Sequence, residues 1–110
     1  MHPIVLLVAD MPQSCEIAQQ LDHLPIEWLG AHDHGEVVRQ LETEPRIECV
    51  IMGGGLDDRM RGDLVGLIAQ MRPDVCIHLK DRASGPHGLA PFAAQIVENI
   101  LLRKREREAA

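Results

Sequence analysis

The glycine triplet, residues 53–55, directly follows the short apolar segment Cys49–Met52. Consecutive glycines after a strand leave the backbone bare, so a ligand can approach it closely. The amide groups of such a loop, at the start of the next helix, can bind an anion. Two aspartates that would repel a phosphate and two arginines that would attract it follow closely in the chain. The residues therefore leave open both an anion site and a simple tight turn.

Polar residues accompany the other apolar segments as well. Asp10 follows the first segment, His78 lies within the fourth, and Ser84 and Gly85 belong to the loop before the last helical pattern. In a parallel α/β sheet the carboxyl ends of the strands meet at one edge and form a crevice there. We therefore predict a ligand-binding crevice at that edge. Its candidate residues are Asp10, Gly53, Gly54, Gly55, His78, Ser84 and Gly85.

Metal binding and nucleophilic catalysis have less support from the sequence. His32, Asp33 and His34 are of types that bind zinc, but the strand before them would be separated from the strand that carries His78. Surface histidines are the alternative, and metal binding by these residues stays open; we predict no metal site and no cofactor. Ser84 does not lie in a Gly-x-Ser-x-Gly turn, so we assign no catalytic residue.

Cysteine content, charge and the length of the apolar segments indicate the cellular compartment and the classes of binding partner. Cys15, Cys49 and Cys76 are odd in number and lie within apolar patterns, which predicts buried free thiols. The apolar segment Ile4–Ala9 is too short for a signal sequence or a membrane span. A net charge of −6, with only one Trp and one Phe, argues against nucleic-acid binding. We expect a cytoplasmic protein with no membrane and no nucleic-acid partner.

Four apolar segments, each followed by a helical pattern, account for most of the chain. The first is continuously apolar, as in a central strand that is covered on both faces. The second is shorter and partly alternating, which is typical of an edge strand. The predicted strands are Ile4–Ala9, Ile26–Leu29, Glu48–Met52 and Val75–Leu79. The last helix carries an apolar stripe from Leu89 to Ile100 and ends in a charged segment.

Alternating strand and helix units predict a parallel sheet with right-handed crossovers. With strand 1 in the centre, the expected order is 2-1-3-4, which is a flavodoxin-like arrangement. The fold class is therefore α/β, a three-layer sandwich around a four-stranded parallel sheet. At 110 residues we expect one domain, 1–102, and a charged helix end or tail, 103–110.

The segment Asp57–Leu64 resembles the Asp-x-x-Met-Pro-Gly-x-Asp sequence that follows strand 3 in response-regulator receiver domains. The resemblance covers most of the chain in element order, and it implies a receiver-like fold with a regulatory role. In receivers the phosphorylated aspartate closes strand 3, whereas Gly53 has that place here. Arg61 stands in place of the proline, and Asp10 in place of a pair of acids. The resemblance thus implies a module that is not phosphorylated.

Two functions remain as hypotheses. The first is a non-catalytic receiver-like binding or regulatory module that acts by protein contact. An exposed strand 4 and the last helix would form a homodimer or bind another protein, because open sheet edges favour pairing. The second is a ligand-binding protein or enzyme that uses the Gly53–Gly55 crevice. Cobalamin domains share this fold, but their Asp-x-His-x-x-Gly loop does not match residues 10–15.

Overall fold

A four-stranded parallel sheet lies between two layers of helices in the computed structural model, which describes residues 2–83, 85 and 88–109. The strand order is β2-β1-β3-β4, as the sequence predicts. The elements are β1 Ile4–Val8, α1 Met11–Gln20, β2 Glu27–Ala31, α2 His34–Thr43, β3 Ile47–Met52, α3 Asp58–Met71, β4 Cys76–Leu79 and α4 Leu89–Ala109.

The first strand is central, and all five of its residues are buried. Val8 at its end is in register with Ala31 of β2 and with Met52 of β3. Met52 is in turn in register with Leu79 of β4. All four strands therefore end at the same edge of the sheet, here called the carboxyl edge. The loops after the strands meet there, as the sequence predicts.

Each face of the sheet has its own aliphatic core. Val37 and Leu41 of α2, with Leu64 of α3, pack on one face. The helices α1 and α4 cover the other face, where Trp28 and Phe92 are only partly buried. The branched aliphatic side chains therefore supply most of the packing, since burying each contributes about 1.5–3 kcal/mol.

Helix α3 begins at Asp58, earlier than the apolar stripe from Leu64 suggests. The reason is the capping residue: the Asp57 side chain accepts a hydrogen bond from the backbone N–H of Met60. Such a cap satisfies one of the free amide groups of the first turn. The helix therefore starts at its cap, and its first turn contains residues that sequence periodicity does not mark.

Helix α4 is longer than its apolar stripe. Its buried side ends with Ile100, yet the helix continues through the charged segment to Ala109. Arg103, Lys104 and Arg107 follow Ile100 at spacings of three, four and seven residues, so they continue the same side of the helix. The helix runs back from the carboxyl edge, and these cations consequently lie at the opposite, amino edge of the sheet.

No helix within the described residues is long and apolar enough to cross a membrane.

Candidate functional site

The acids at the strand ends act as helix N-caps. Oδ1 of Asp10 accepts a hydrogen bond from the backbone N–H of Gln13 at 2.9 Å. Asp33 and Asp57 accept equivalent bonds from the residue three positions further on, at 2.8 and 2.7 Å. One carboxylate oxygen of each residue is thereby committed to starting a helix. These contacts give the three aspartates a structural role at the carboxyl edge.

Close packing accounts for the first two glycines of the triplet. Gly53 is buried, and a Cβ atom there would lie 3.3 Å from the Cβ of Ala9. A Cβ on Gly54 would lie 3.4 Å from the carbonyl oxygen of Asp81. Gly55 has no such neighbour within 4 Å, so its Cα faces open space. The first two positions therefore bring neighbouring loops together, and the third leaves room for another molecule.

The triplet does not adopt the left-handed conformation that glycine alone adopts easily. Among the described residues, only Gly85 has a positive φ, at 69°. Left-handed backbone conformation is therefore not the reason for glycine at positions 53–55. Their small size is the property that the fold uses.

Arg82 holds the triplet loop in place, a role that the sequence did not reveal. Its Nε donates to the carbonyl oxygen of Gly54 at 3.1 Å, and its Nη2 donates to that of Leu56 at 2.7 Å. Its Nη1 contacts Oδ1 of Asp58 at 2.6 Å. The β4–α4 loop and the β3–α3 loop are thus joined through one guanidinium group. An arginine in a polar loop has no sequence signal for such a role, because its partners come from another loop.

Two buried cations lie next to this junction. Lys80 is 2% exposed, and its Nζ donates to the carbonyl oxygen of Asp81 at 2.6 Å and lies 3.3 Å from Oδ1 of that residue. Arg61 is also buried, and its Nη2 donates to the carbonyl oxygen of Lys80 at 2.8 Å. Burial of a charge is costly without such partners. Arg61 therefore anchors α3 to the end of β4.

The carboxyl-edge crevice is a cavity of about 250 Å³ beside the triplet. It is lined by Gln13, Gly54, Gly55, Lys80, Asp81, Arg82, Gly85 and Leu89. Three of the predicted site residues therefore lie together here: Gly54, Gly55 and Gly85. Lys80 and Arg82 contribute cations to this crevice, although neither was among the predicted site residues.

The other predicted site residues lie elsewhere. Gly53 is buried behind the crevice, and Asp10 lines a smaller neighbouring cavity of about 120 Å³. His78 is half-buried in β4, where burial and the charge of Arg103 lower the pKa of its imidazole. It does not line the crevice. Ser84 lies outside the described residues.

The histidine and aspartate cluster after β2 has local contacts. Nδ1 of His32 lies 2.7 Å from the carbonyl oxygen of Ala9, so the ring links the ends of β1 and β2. Asp33 caps α2, as described above, and His34 is exposed. Within the described part of the chain, no group of three or more His, Cys, Asp or Glu side chains is placed to hold a metal ion.

The three cysteines are free, but only one of them is buried, so the predicted burial is wrong for the other two. Cys49 is buried in the central part of the sheet, and burial raises the pKa of its thiol to about 12. Cys76 is exposed because β4 is an edge strand. Cys15 is exposed because α1 buries Ile17 and Leu21 instead. Apolar neighbours in sequence were a poor guide to burial on these outer elements.

Comparison with solved structures supports the fold. The chain is similar to a de novo designed Rossmann fold protein, with a TM-score of 0.55 and 15% sequence identity. The match covers 89% of this chain and 99% of the designed protein. At this identity the likeness shows a Rossmann-like α/β fold alone, as the sequence predicts. No protein-family model and no curated protein matches the chain.

Proposed function

We propose that this chain is a non-catalytic, receiver-like module that acts by contact with another protein and does not transfer a phosphoryl group. The observation that supports it most is the site that would accept the phosphoryl group. Gly53 directly follows β3 there, and it is buried, with the Cβ of Ala9 only 3.3 Å from the place of an added Cβ. The next carboxylate in the chain, Asp57, caps α3. An acceptor at the end of β3 is therefore lacking.

The surroundings support the same conclusion. Phosphoryl transfer to a carboxylate needs Mg²⁺, which binds carboxylate oxygens in a nearly octahedral arrangement. Asp10 provides one carboxylate at the end of β1, and that group caps α1. The amino group of Lys80 lies 3.3 Å from Oδ1 of Asp81, which partly balances its charge. The carboxyl edge is therefore organised to join loops and start helices.

Exposed apolar residues on the edge strand β4 and on α4 support contact with a protein. The strand β4 is at the edge, and Leu79 at its end is 45% exposed. On α4, Leu102 is 53% exposed. An edge strand offers backbone groups to a further strand, and twofold dimers are the commonest oligomers. A homodimer through β4 and α4 is the contact that we propose.

Incubation with acetyl phosphate and Mg²⁺, followed by intact mass spectrometry, tests the absence of phosphoryl transfer. We expect no phosphoryl adduct on the wild-type protein. A phosphorylatable receiver in the same reaction is the positive control. An adduct that is present on the wild type and lost in Asp57→Asn would contradict the proposal and indicate an active receiver.

A second function, binding of a small anion in the carboxyl-edge crevice, is favoured by one observation. The crevice combines the buried cation Lys80 with open space beside Gly55. Its volume of about 250 Å³ is small for a ligand site, and a compound the size of a phosphate would fit it.

Inorganic phosphate is the probe for this second function. If the crevice binds it, the amide resonances of Gly54 and Gly55 should shift on titration. Gly55→Val should abolish those shifts, because its side chain would occupy the open space, while Gly62→Val on the exposed side of α3 should leave them unchanged. Absence of any shift in the wild type would remove this second function.

A further inference from the structure

A cavity of about 400 Å³ lies at the amino edge of the sheet, opposite the crevice. We call it the amino-edge pocket. It is formed by the starts of β3 and β4 and by the last turns of α4. Five of the eleven Lys and Arg residues of the chain line it, against two carboxylates, Glu48 and Asp74. A protein with a net charge of −6 therefore concentrates cations at this one place.

Some of these cations have structural partners. Nη2 of Arg72 donates to the carbonyl oxygens of Pro45 and Ile47, both at 3.0 Å, and its guanidinium pairs with Asp74 at 3.1 Å. Arg72 is thus a fixed charge at the base of the pocket, with a side chain that is 18% exposed. The carbonyl bonds hold the side chain in one position, and Asp74 balances its charge, so Arg72 shapes the pocket and adds no unpaired cation to it.

Other cations of the pocket are paired with carboxylates. Nζ of Lys104 lies 2.8 Å from Oε1 of Glu48. Nε of Arg46 lies 3.1 Å from Oε1 of Glu44, and this pairing lowers the pKa of the Glu44 carboxyl. These two positive charges are therefore balanced within the protein.

Arg103 and Arg107 are different. Arg103 donates from Nε to the carbonyl oxygen of Asn99 at 3.4 Å and has no carboxylate partner among the described residues. Arg107, within the same part of the chain, makes neither an ion pair nor a hydrogen bond through its side chain. The two are one helical turn apart on the side of α4 that continues from Ile100, and both line the pocket. Two guanidinium groups are therefore available to a ligand at the same place.

The position of these arginines is not explained by the helix dipole alone. Cations in the last turns of a helix are favourable on any side of it. Arg103 and Arg107 instead follow the buried stripe of α4 beyond the edge of the sheet, where they line a cavity. Guanidinium groups match the oxygen geometry of phosphate with two parallel hydrogen bonds. A volume of about 400 Å³ falls within the usual range of small-molecule sites.

We propose that the amino-edge pocket binds a small phosphorylated molecule, whose phosphate groups are held by Arg103 and Arg107 with Arg72 at the base. The site is on the opposite edge from the crevice and from Gly53, so it goes beyond the function proposed above. The outcome does not depend on phosphoryl transfer at Asp57. Cys76 of β4 and the end of α4 belong to the elements of the proposed homodimer, so the experiment compares samples with and without the probe at one fixed protein concentration.

The cysteines provide a direct test with inorganic pyrophosphate as the probe. Cys76 is exposed and lines the pocket, whereas Cys15 is exposed on α1, away from it. Each alkylation rate with iodoacetamide can be followed by peptide mass spectrometry. We expect pyrophosphate to slow alkylation of Cys76 and to leave that of Cys15 unchanged, at constant ionic strength. Equal effects on both thiols, or none, would overturn the proposal.

Double variants with the same net charge show whether Arg103 and Arg107 are responsible for the protection of Cys76. Arg103→Gln and Arg107→Gln should each weaken pyrophosphate binding about tenfold, as expected for the loss of one charge-assisted hydrogen bond. The double variant should lose the protection of Cys76. The control double variant Arg39→Gln/Arg59→Gln loses the same charge at exposed positions elsewhere. Pyrophosphate should still protect Cys76 in this variant. Thermal melts check that all variants fold. Loss of protection in both double variants would contradict a specific site.

The source of the phosphate is tested in a parallel arm. Vesicles that contain phosphatidic acid replace pyrophosphate in the alkylation assay, and phosphatidylcholine vesicles are the control. We expect neither kind of vesicle to slow the alkylation of Cys76, since the pocket fits a soluble molecule. Protection by the acidic vesicles without protection by pyrophosphate would assign the site to a lipid headgroup and overturn the proposal for a soluble ligand.

Discussion

Gly53 and Gly55 have different roles although one residue separates them. Gly53 is packed against Ala9, whereas Gly55 faces the crevice. Neither has a left-handed backbone conformation, so a side chain at either position is limited only by space. The pair is therefore a matched test of what the triplet does in the fold.

We expect Gly53→Val to lower the free energy of unfolding by about 1–3 kcal/mol, because the added atoms overpack the junction of β1 and β3. Gly55→Val should change it by less than about 0.5 kcal/mol, since nothing lies within reach of the new Cβ. Urea denaturation of both variants measures the difference. Equal destabilisation by the two substitutions would show that the triplet acts through backbone freedom after all.

Arg82 shows what sequence reasoning lacked at this scale. Three successive glycines after a strand mark this loop in the sequence. The residue that holds the loop, however, belongs to another loop. Lys80 directly follows β4, and its burial next to Arg61 could not be inferred from its sequence neighbours. Contacts between loops depend on which side chains of two separate loops meet, and the pattern within one segment does not contain that information.

At the scale of the elements, the β3–α3 loop depends on the β4–α4 loop. Arg82 donates hydrogen bonds to Gly54 and Leu56 and pairs with Asp58. Removal of this guanidinium leaves the loop with the backbone bond from Gly53 to Val8 and the packing of Leu56 on the core. Loops with fewer contacts open more often, and their amides exchange faster.

We expect Arg82→Gln to speed hydrogen exchange of the amides from Gly54 to Asp58 by about tenfold, the effect of losing about 1.4 kcal/mol of local stability. Arg59→Gln is the matched control, because Arg59 is exposed on α3 next to Asp58 and its side chain makes no hydrogen bond or ion pair within the described residues. Exchange measured by NMR or mass spectrometry should be unchanged in this control. Similar exchange in Arg82→Gln and the wild type would contradict the role of Arg82.

The strands were predictable because their apolar residues are continuous. Ile4–Ala9 was assigned to the centre of the sheet on that basis, and the structure confirms it. The start of α3 was not predicted, because the capping residue Asp57 and the exposed first turn carry no apolar period. The charged segment 103–110 was predicted as a helix end or a tail, since it has no apolar stripe, and α4 continues through it to Ala109.

At the scale of the whole molecule, charge is distributed unevenly between the two edges of the sheet. The capping aspartates are at the carboxyl edge, and five cations surround the amino-edge pocket. The net charge of −6 gives no indication of this, because the basic residues of the pocket come from three separate segments of the sequence. Only the parallel topology brings Arg46, Arg72 and the end of α4 together.

The open side of the molecule is β4, with Leu79 exposed at its end. A homodimer through β4 and α4 would cover this edge, as we propose. Lysine on an edge strand is a common obstacle to pairing in natural sheets. Leu79→Lys should therefore prevent association, while Thr43→Lys, at the exposed end of α2 beside the opposite strand β2, should not.

Light scattering over a series of protein concentrations, without any ligand or phosphodonor, is the most direct test of a module that acts by protein contact. We expect the wild type and Thr43→Lys to reach twice the monomer mass of 12.2 kDa, and Leu79→Lys to remain at that mass. A wild-type protein that stays at the monomer mass up to millimolar concentration would contradict the homodimer.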